Sequence, residues 1–112
     1  MGKYDVGSSS FNMDNLVLEG PIAVDSMTVK MGNVLKRGQL FIMASGLAVV
    51  DPGTDPSLVY GIAAEDVDAT AKDVKSVGYI SGNFSKSAII FPAGKNYSHY
   101  KEPLRNKGIT LR

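Results

Sequence analysis

Short apolar segments separated by turn residues run through most of the chain, and they limit the fold more than any other feature of the sequence. The clearest example alternates apolar and polar side chains over residues 27–31. Such a period of two is typical of a half-buried strand. Gly32 and Asn33 follow at once and predict a turn. The chain is therefore expected to form strands rather than long helices.

A hairpin is predicted in the middle of the sequence. Residues 40–43 and 47–50 are short apolar runs, and only Ala44, Ser45 and Gly46 separate them. Two such runs across a small glycine-containing link favour a β-hairpin. Residues 51–56, with two prolines and a glycine, are then typical of a loop.

Three further strands are predicted after that loop. They are residues 58–64, a segment around Val77 and Tyr79 that ends near Gly82, and residues 88–91. Gly61 interrupts the first of them, and a glycine inside a strand often marks a bulge or a close approach of another backbone. Pro92 ends the last one, because proline cannot donate to a strand ladder.

The C-terminal segment combines helix and strand signals. Pro103 suits the first turn of a short helix over residues 103–107, and Gly108 suits the left-handed position just past its end. Residues 109–111 then predict a terminal strand. The total is about seven short strands with one or two short helical turns, so we predict a mainly β fold, a small barrel or clip-like domain over residues 16–112.

Residues 1–15 differ from the rest of the chain. They contain two glycines, three consecutive serines and no hydrophobic periodicity. Such a segment cannot bury enough apolar surface to offset its ordering entropy, so we predict a flexible N-terminal arm. Phe11 and Met13 are its apolar exceptions. They are either tail residues without a role or anchors that become ordered on a partner.

Charge and composition exclude several classes of partner. Twelve basic and eleven acidic residues give a net charge of +1, whereas nucleic acids and anionic membranes require concentrated positive charge. Cysteine is absent from the sequence, which excludes disulfides and thiolate metal sites. No apolar run approaches the ~18 residues of a membrane helix. The N-terminus lacks the apolar segment of a signal peptide, so secretion by the standard route is not expected.

Residues with catalytic or metal-binding chemistry are few. His99 is the single histidine and lies in a polar aromatic segment, which favours a surface or interface histidine over a catalytic one. The densest acidic group does not have the spacing of an EF-hand loop and favours a solvated loop; its members are Glu65, Asp66, Asp68 and Asp73. We therefore predict no enzyme activity, no catalytic residue, no cofactor, no metal and no small-molecule substrate.

Four stretches of the sequence, taken in order, match a known pattern. They are DNLV (14–17) with VDSMTV (24–29), LKRGQL (35–40), YGIAAEDVDAT (60–70), and SGNFSKSAIIF (81–91) followed by LRNKGI (104–109). Together they resemble the lambda-type head decoration protein family of tailed bacteriophages. The third and fourth stretches at this spacing are the most specific.

The resemblance implies a structural virion protein of the phage head, made in the host bacterial cytoplasm. Members of the family are small β-rich proteins without catalytic residues. They assemble as homotrimers at three-fold and quasi-three-fold positions on the outside of an expanded capsid. Their N-terminal arm is flexible when free and becomes ordered against the major capsid protein. This chain has a Gly/Ser-containing arm in place of the Thr/Ala/Pro-rich lead of the lambda protein.

Two sets of contact residues follow as hypotheses. Residues from about 4 to 18 are expected to add a strand to an exposed edge of the capsid protein. The anchors predicted for this strand are Tyr4, Phe11, Met13, Leu16, Val17 and Leu18. A second set is predicted to lie in the core or at subunit contacts, and its members are Ile89, Phe91, Ile109 and Leu111. The trimer could form in solution or only on the shell.

Two other functions compete with capsid decoration. The chain could be a tail or receptor-binding β module that attaches to a host surface. It could also be an accessory β domain of an enzyme whose catalytic residues lie on another chain. A decoration protein should bind empty expanded heads, whereas an adhesin should bind cells or glycans.

Overall fold

A computed structural model describes residues 15–112 as a mainly β domain with eight strands, one α-helix and two 3₁₀ turns. The strands are β1 (Ala23–Val29), β2 (Asn33–Leu35), β3 (Leu40–Ala44), β4 (Leu47–Val50), β5 (Val59–Ala63), β6 (Val67–Ala69), β7 (Val74–Phe84) and β8 (Ile109–Leu111). The 3₁₀ turns are Pro56–Leu58 and Lys86–Ala88, and the helix α1 is Tyr97–Arg105. The predicted mainly β fold is confirmed. Within the described residues, no helix is long and apolar enough to cross a membrane.

Five of the strands close into a barrel. The pairing order is β1, β4, β3, β5, β7, and β7 pairs back with β1. The closing β1–β7 pair is antiparallel and extends from Ala23 opposite Ser81 to Val29 opposite Val74. The β1–β4 contact is parallel and pairs Val29 with Ala48. β8 lies outside the ring, parallel to the last residues of β7.

The predicted hairpin is confirmed as β3–β4. Its two-residue link has positive φ at both positions, 52° at Ser45 and 82° at Gly46. This is the backbone of a type I′ turn, whose twist matches that of the flanking strands. Met43 is opposite Ala48, and Ala44 is opposite Leu47.

Two glycines let the Phe41 ring lie against the strands inside the barrel. A Cβ at Gly78 would be 2.7 Å from the ring, and a Cβ at Gly61 would be 2.5 Å from the carbonyl oxygen of Tyr79. The β3–β5 register also shifts between Phe41 and Ile42. The sequence prediction of a bulge or close backbone contact at Gly61 is therefore confirmed.

The buried side chains form two clusters. The inner core lies inside the barrel and is closed by the short β2–β6 ribbon; it consists of Met27, Val29, Leu35, Phe41, Ala48, Ala63, Val67 and Ala69. The outer core lies between the outward faces of the barrel strands and the elements outside the ring, among them α1 and β8. It consists of Leu16, Leu40, Val59, Ile62, Tyr79, Phe84, Ile89, Tyr100, Leu104, Ile109 and Leu111. Because strand side chains alternate in direction, one set of strands supplies both cores.

The helix begins earlier than the sequence analysis predicted. α1 starts at Tyr97, and Asn96 caps it by accepting a 3.0 Å hydrogen bond from the Ser98 amide. Pro103 lies inside the helix rather than in its first turn, so the predicted start is wrong. The prediction for Gly108 is confirmed, since its φ is 88°.

Residues 88–91 do not form the predicted strand. Lys86–Ala88 is a 3₁₀ turn, and Ile90 makes only an isolated bridge with Gln39. The Ile90 amide donates to the carbonyl of Gly38 over 2.9 Å, so this segment meets the barrel at one point instead of along a ladder. Ile89 is buried in the outer core and Phe91 is half-buried against it, whereas Ile90 is exposed. A short apolar run can bury part of its side chains without strand structure.

Candidate functional site

The two ends of the described chain flank the same part of β7. On one side, the Leu18 amide donates to the Asn83 carbonyl and the Ser85 amide donates to the Leu16 carbonyl, both over 2.9 Å. Val17 lies opposite Phe84 in this antiparallel pair. Residues 16–18 therefore lie beside β7 through one antiparallel bridge and two backbone hydrogen bonds.

On the other side of the same segment lies β8, which runs parallel to β7. Leu111 is opposite Phe84. The Arg112 amide donates to the Phe84 carbonyl over 2.9 Å, and the Lys86 amide donates to the Arg112 carbonyl over 3.0 Å. We call residues 16–18, 82–86 and 108–112 together the terminal sheet. Given the strand directions, the segment before Leu16 and the C-terminal Arg112 both leave this sheet at its Ser85 end.

The residues predicted as capsid anchors fall into two groups. Tyr4, Phe11 and Met13 lie outside the described residues. Leu16 is fully buried in the outer core, whereas Val17 and Leu18 are half-buried. The structure thus places Leu16 where it fixes the beginning of the domain. Binding of any of these residues to a capsid stays a prediction.

The second predicted set comes together around the terminal sheet. Ile89, Ile109 and Leu111 are buried in the outer core. Phe91 is half-buried against that core, and its ring centroid is 5.6 Å from that of Tyr100. Contact of these residues with a second subunit stays a prediction.

A shallow apolar groove of about 250 Å³ lies elsewhere on the barrel and is lined by Val59, Tyr60, Ile80 and Lys107. The Tyr60 hydroxyl donates a 2.8 Å hydrogen bond to Asp25. That bond, together with partial burial and the negative charge of Asp25, raises the pKa of Tyr60. No pattern in the sequence indicates the groove, because strand pairing brings its residues together from separate elements.

The acidic residues of the 65–73 region do not converge on one point. Asp66 accepts from the Arg37 amide over 2.8 Å, and Asp73 accepts from the Met31 amide over 2.7 Å. Asp68 accepts from the amide and the hydroxyl of Thr70, and these bonds lower its pKa. In the part of the chain that the structure describes, no group of three or more His, Cys, Asp or Glu residues could hold a metal ion. These carboxylates act as hydrogen-bond acceptors for loops.

His99 lies on α1 and not in a loop. Its side chain is exposed, and its Nδ1 accepts a 3.1 Å hydrogen bond from the Asn96 amide. The described geometry thus gives the imidazole a role at the beginning of the helix, which the sequence analysis did not foresee. The spacing of Asn96 and His99 was the available signal, since a capping box places its two members three residues apart.

A buried polar pair was also missed by the sequence analysis. Tyr100 is fully buried, and its hydroxyl donates a 2.9 Å hydrogen bond to the Asp51 carboxylate. Burial, and next the hydrogen bond and negative charge of Asp51, raise the pKa of Tyr100 well above its usual value. The other Asp51 oxygen accepts from the Gly53 amide. This pair attaches α1 to the loop after β4.

Comparison with known proteins gives one family. The model of the bacteriophage lambda head decoration protein D family matches residues 8–103 of the chain, which is most of its length. The match begins within the segment that precedes the described domain and ends in α1. A search of curated proteins finds no significant match.

Proposed function

Because this chain belongs to the bacteriophage lambda head decoration protein D family, we propose that it binds the outer surface of an expanded phage capsid as a homotrimer at three-fold and quasi-three-fold positions. Membership in the family supports a structural role as a capsid decoration protein of the phage head. We further propose that the bound trimers stabilise the shell against the pressure of the DNA inside it. The major capsid protein and further copies of this chain are the proposed partners, and the host bacterial cytoplasm is the proposed place of synthesis.

Stabilisation of this kind needs no chemical reaction. A ligand that binds the expanded lattice but not the disassembled subunits shifts the equilibrium toward the lattice by mass action. Each binding site contributes, and the effect adds up over the shell. The proposed function therefore depends on surface complementarity and binding contacts, and it requires no catalytic residue.

The observation that best supports the proposal is the arrangement of the terminal sheet. The segment before Leu16 and the C-terminal Arg112 leave it at one end. We propose that this end faces the shell and that residues from about 4 to 18 add a strand to the capsid protein. Leu16, buried in the outer core, connects that strand firmly to the domain.

Trimer formation would strengthen such binding. Three copies bring three arms to one site, so after the first arm binds, the others act at high effective concentration. Weak single contacts thereby combine into stable attachment. The proposed subunit contacts are formed by residues near the terminal sheet, the half-buried Phe91 among them.

The test is cosedimentation of the purified protein with expanded and unexpanded capsids of the same phage. We expect binding to expanded capsids only. A variant without residues 2–13 should lose binding while its circular dichroism and unfolding transition stay those of the full chain. A matched control replaces Ser8, Ser9 and Ser10 by glycine, which keeps Phe11 and Met13, and should still bind.

Several outcomes would contradict the proposal. Full binding by the truncated chain would refute the arm model, and binding to neither form of capsid would refute capsid decoration. Binding to host cells or glycans instead would support a receptor-binding module. Analytical ultracentrifugation tests whether the trimer forms in solution. The number of copies per three-fold position on saturated capsids tests whether it forms on the shell.

A further inference from the structure

The first turn of α1 contains a reciprocal pair of hydrogen bonds that includes the single histidine of the sequence. The Asn96 amide donates to Nδ1 of His99 over 3.1 Å. In return, Oδ1 of Asn96 accepts from the Ser98 amide over 3.0 Å and from the Ser98 hydroxyl over 2.6 Å. This is a capping box in which histidine occupies the third helical position.

The choice of histidine makes this cap dependent on pH. Capping boxes usually use glutamate or glutamine at the third position, and both remain acceptors near neutral pH. An imidazole nitrogen accepts only while the ring is neutral, because both ring nitrogens are donors in the protonated form. Histidine is also the side chain whose protonation changes between about pH 5 and pH 8.

We propose that the first turn of α1 is an acid-sensitive latch, which protonation of His99 opens by removing the acceptor of the Asn96 amide. A protonated ring would also place positive charge at the helix N-terminus, where the helix dipole disfavours it. Both effects of protonation destabilise the first turn of α1. The folded state should lose stability as the pH falls, since protonation removes a hydrogen bond that only the folded state makes.

The charged groups around the latch do not counteract this effect. α1 packs against β8 and the Pro56–Leu58 turn, and neither contains an ionisable side chain. Asp55, at the start of that turn, has its carboxylate engaged by Ser57. Lys95, just before α1, adds positive charge.

Within α1 itself, the acidic side chain is already paired. Both carboxylate oxygens of Glu102 accept from Arg105 over 2.9 Å. Lys101, two residues after His99, is exposed and adds positive charge to the same part of α1. A new positive charge on His99 therefore gains no obvious partner from the described surroundings.

Residues in and just after the first turn of α1 connect the helix to the rest of the domain. The Lys86 ammonium lies 4.5 Å from the centre of the Tyr97 ring. One turn further, the buried Tyr100 contacts both Phe91 and Asp51. Opening of the first turn would first release Tyr97 and then weaken the attachment that Tyr100 makes.

The test compares the wild-type chain with His99→Gln and His99→Ala by chemical denaturation at pH 8 and pH 5. For the wild type we expect the folding equilibrium constant to fall about fivefold between the two, the factor that ~1 kcal/mol of capping energy represents. His99→Gln keeps an acceptor that does not titrate and should lose this dependence. His99→Ala should be weakened to a similar extent at both pH values.

Nuclear magnetic resonance gives an independent measurement. At pH 8 the imidazole should carry its proton on Nε2, and the Asn96 amide resonance should shift with the same midpoint as the ring when the pH is lowered. An imidazole protonated on Nδ1 at pH 8 would overturn the proposal. So would a His99→Gln variant that loses as much stability at pH 5 as the wild type.

Discussion

The Tyr100 hydroxyl lies 2.9 Å from the Asp51 carboxylate, although the two residues are 49 positions apart in the sequence. Both side chains are buried, and Asp51 also accepts from the Gly53 amide. A buried carboxylate is tolerated only when donors compensate for its lost hydration. The pair is therefore a specific connection between α1 and the loop that follows the β3–β4 hairpin.

Replacing Tyr100 by phenylalanine should destabilise the domain. The ring still fills its place, but Asp51 keeps only its local donor, and an under-satisfied buried group costs about 1–3 kcal/mol. Urea denaturation followed by circular dichroism measures the loss. Tyr97→Phe is the matched control, since the Tyr97 side chain interacts with Lys86 through its ring, and its free energy of unfolding should change little.

High pH should unfold the protein through its tyrosines. The pKa values of Tyr100 and Tyr60 are raised in the folded state, so their contribution is complete below the ordinary tyrosine pKa of about 10 and is lost as the pH rises above it. The free energy of unfolding should therefore decline above about pH 10. Tyrosinate absorbance should show Tyr100 ionising together with unfolding. A decline of equal slope in Tyr100→Phe would show that other groups are responsible.

Alanine at Gly61 and Gly78 should destabilise the barrel for different reasons. The added methyl group at Gly78 meets the Phe41 ring, whereas at Gly61 it meets the backbone oxygen of Tyr79. Overpacking of this kind typically costs about 1–3 kcal/mol. A second substitution, Phe41→Leu, should rescue Gly78→Ala more than Gly61→Ala, because the backbone oxygen of Tyr79 remains in the way at Gly61. A double-mutant cycle of unfolding free energies measures the difference, and equal coupling at both sites would contradict it.

Leu16→Ala should lower the stability of the whole domain although Leu16 lies near the N-terminus. Its side chain is fully buried in the outer core, and buried leucine-to-alanine changes cost about 2–5 kcal/mol. Leu58→Ala is the control: this side chain is 56% exposed, and surface changes usually stay within about 0.5 kcal/mol. Thermal unfolding of both variants tests this. Equal melting temperatures would show that the domain does not depend on residues 16–18.

Features that depend on neighbouring residues were predictable from the sequence. The β3–β4 hairpin follows from two apolar runs across Ser45 and Gly46, and the close approach at Gly61 follows from a glycine within a strand pattern. The positive φ at Gly108 was predictable in the same way, from a glycine just past the end of a helix. In each of these cases the local backbone requirement selects the residue type.

Features that depend on distant pairings were not predictable. The closure of β1 against β7 and the contact of Tyr100 with Asp51 join segments about half the chain apart. The helix was misplaced because Pro103 resembles a helix start, while the cap at Asn96 provides the actual one. For the candidate site, the strand character of residues 16–18 could be foreseen, but their pairing with β7 could not.

The closed ring of five strands has a consequence for a protein that covers a surface in many copies. Each of the five ring strands has a neighbour on both sides, so the ring has no edge strand, the feature through which β proteins pair and aggregate. Pairing of sheets between neighbouring copies would therefore be confined to the elements outside the ring, β8 and the β2–β6 ribbon.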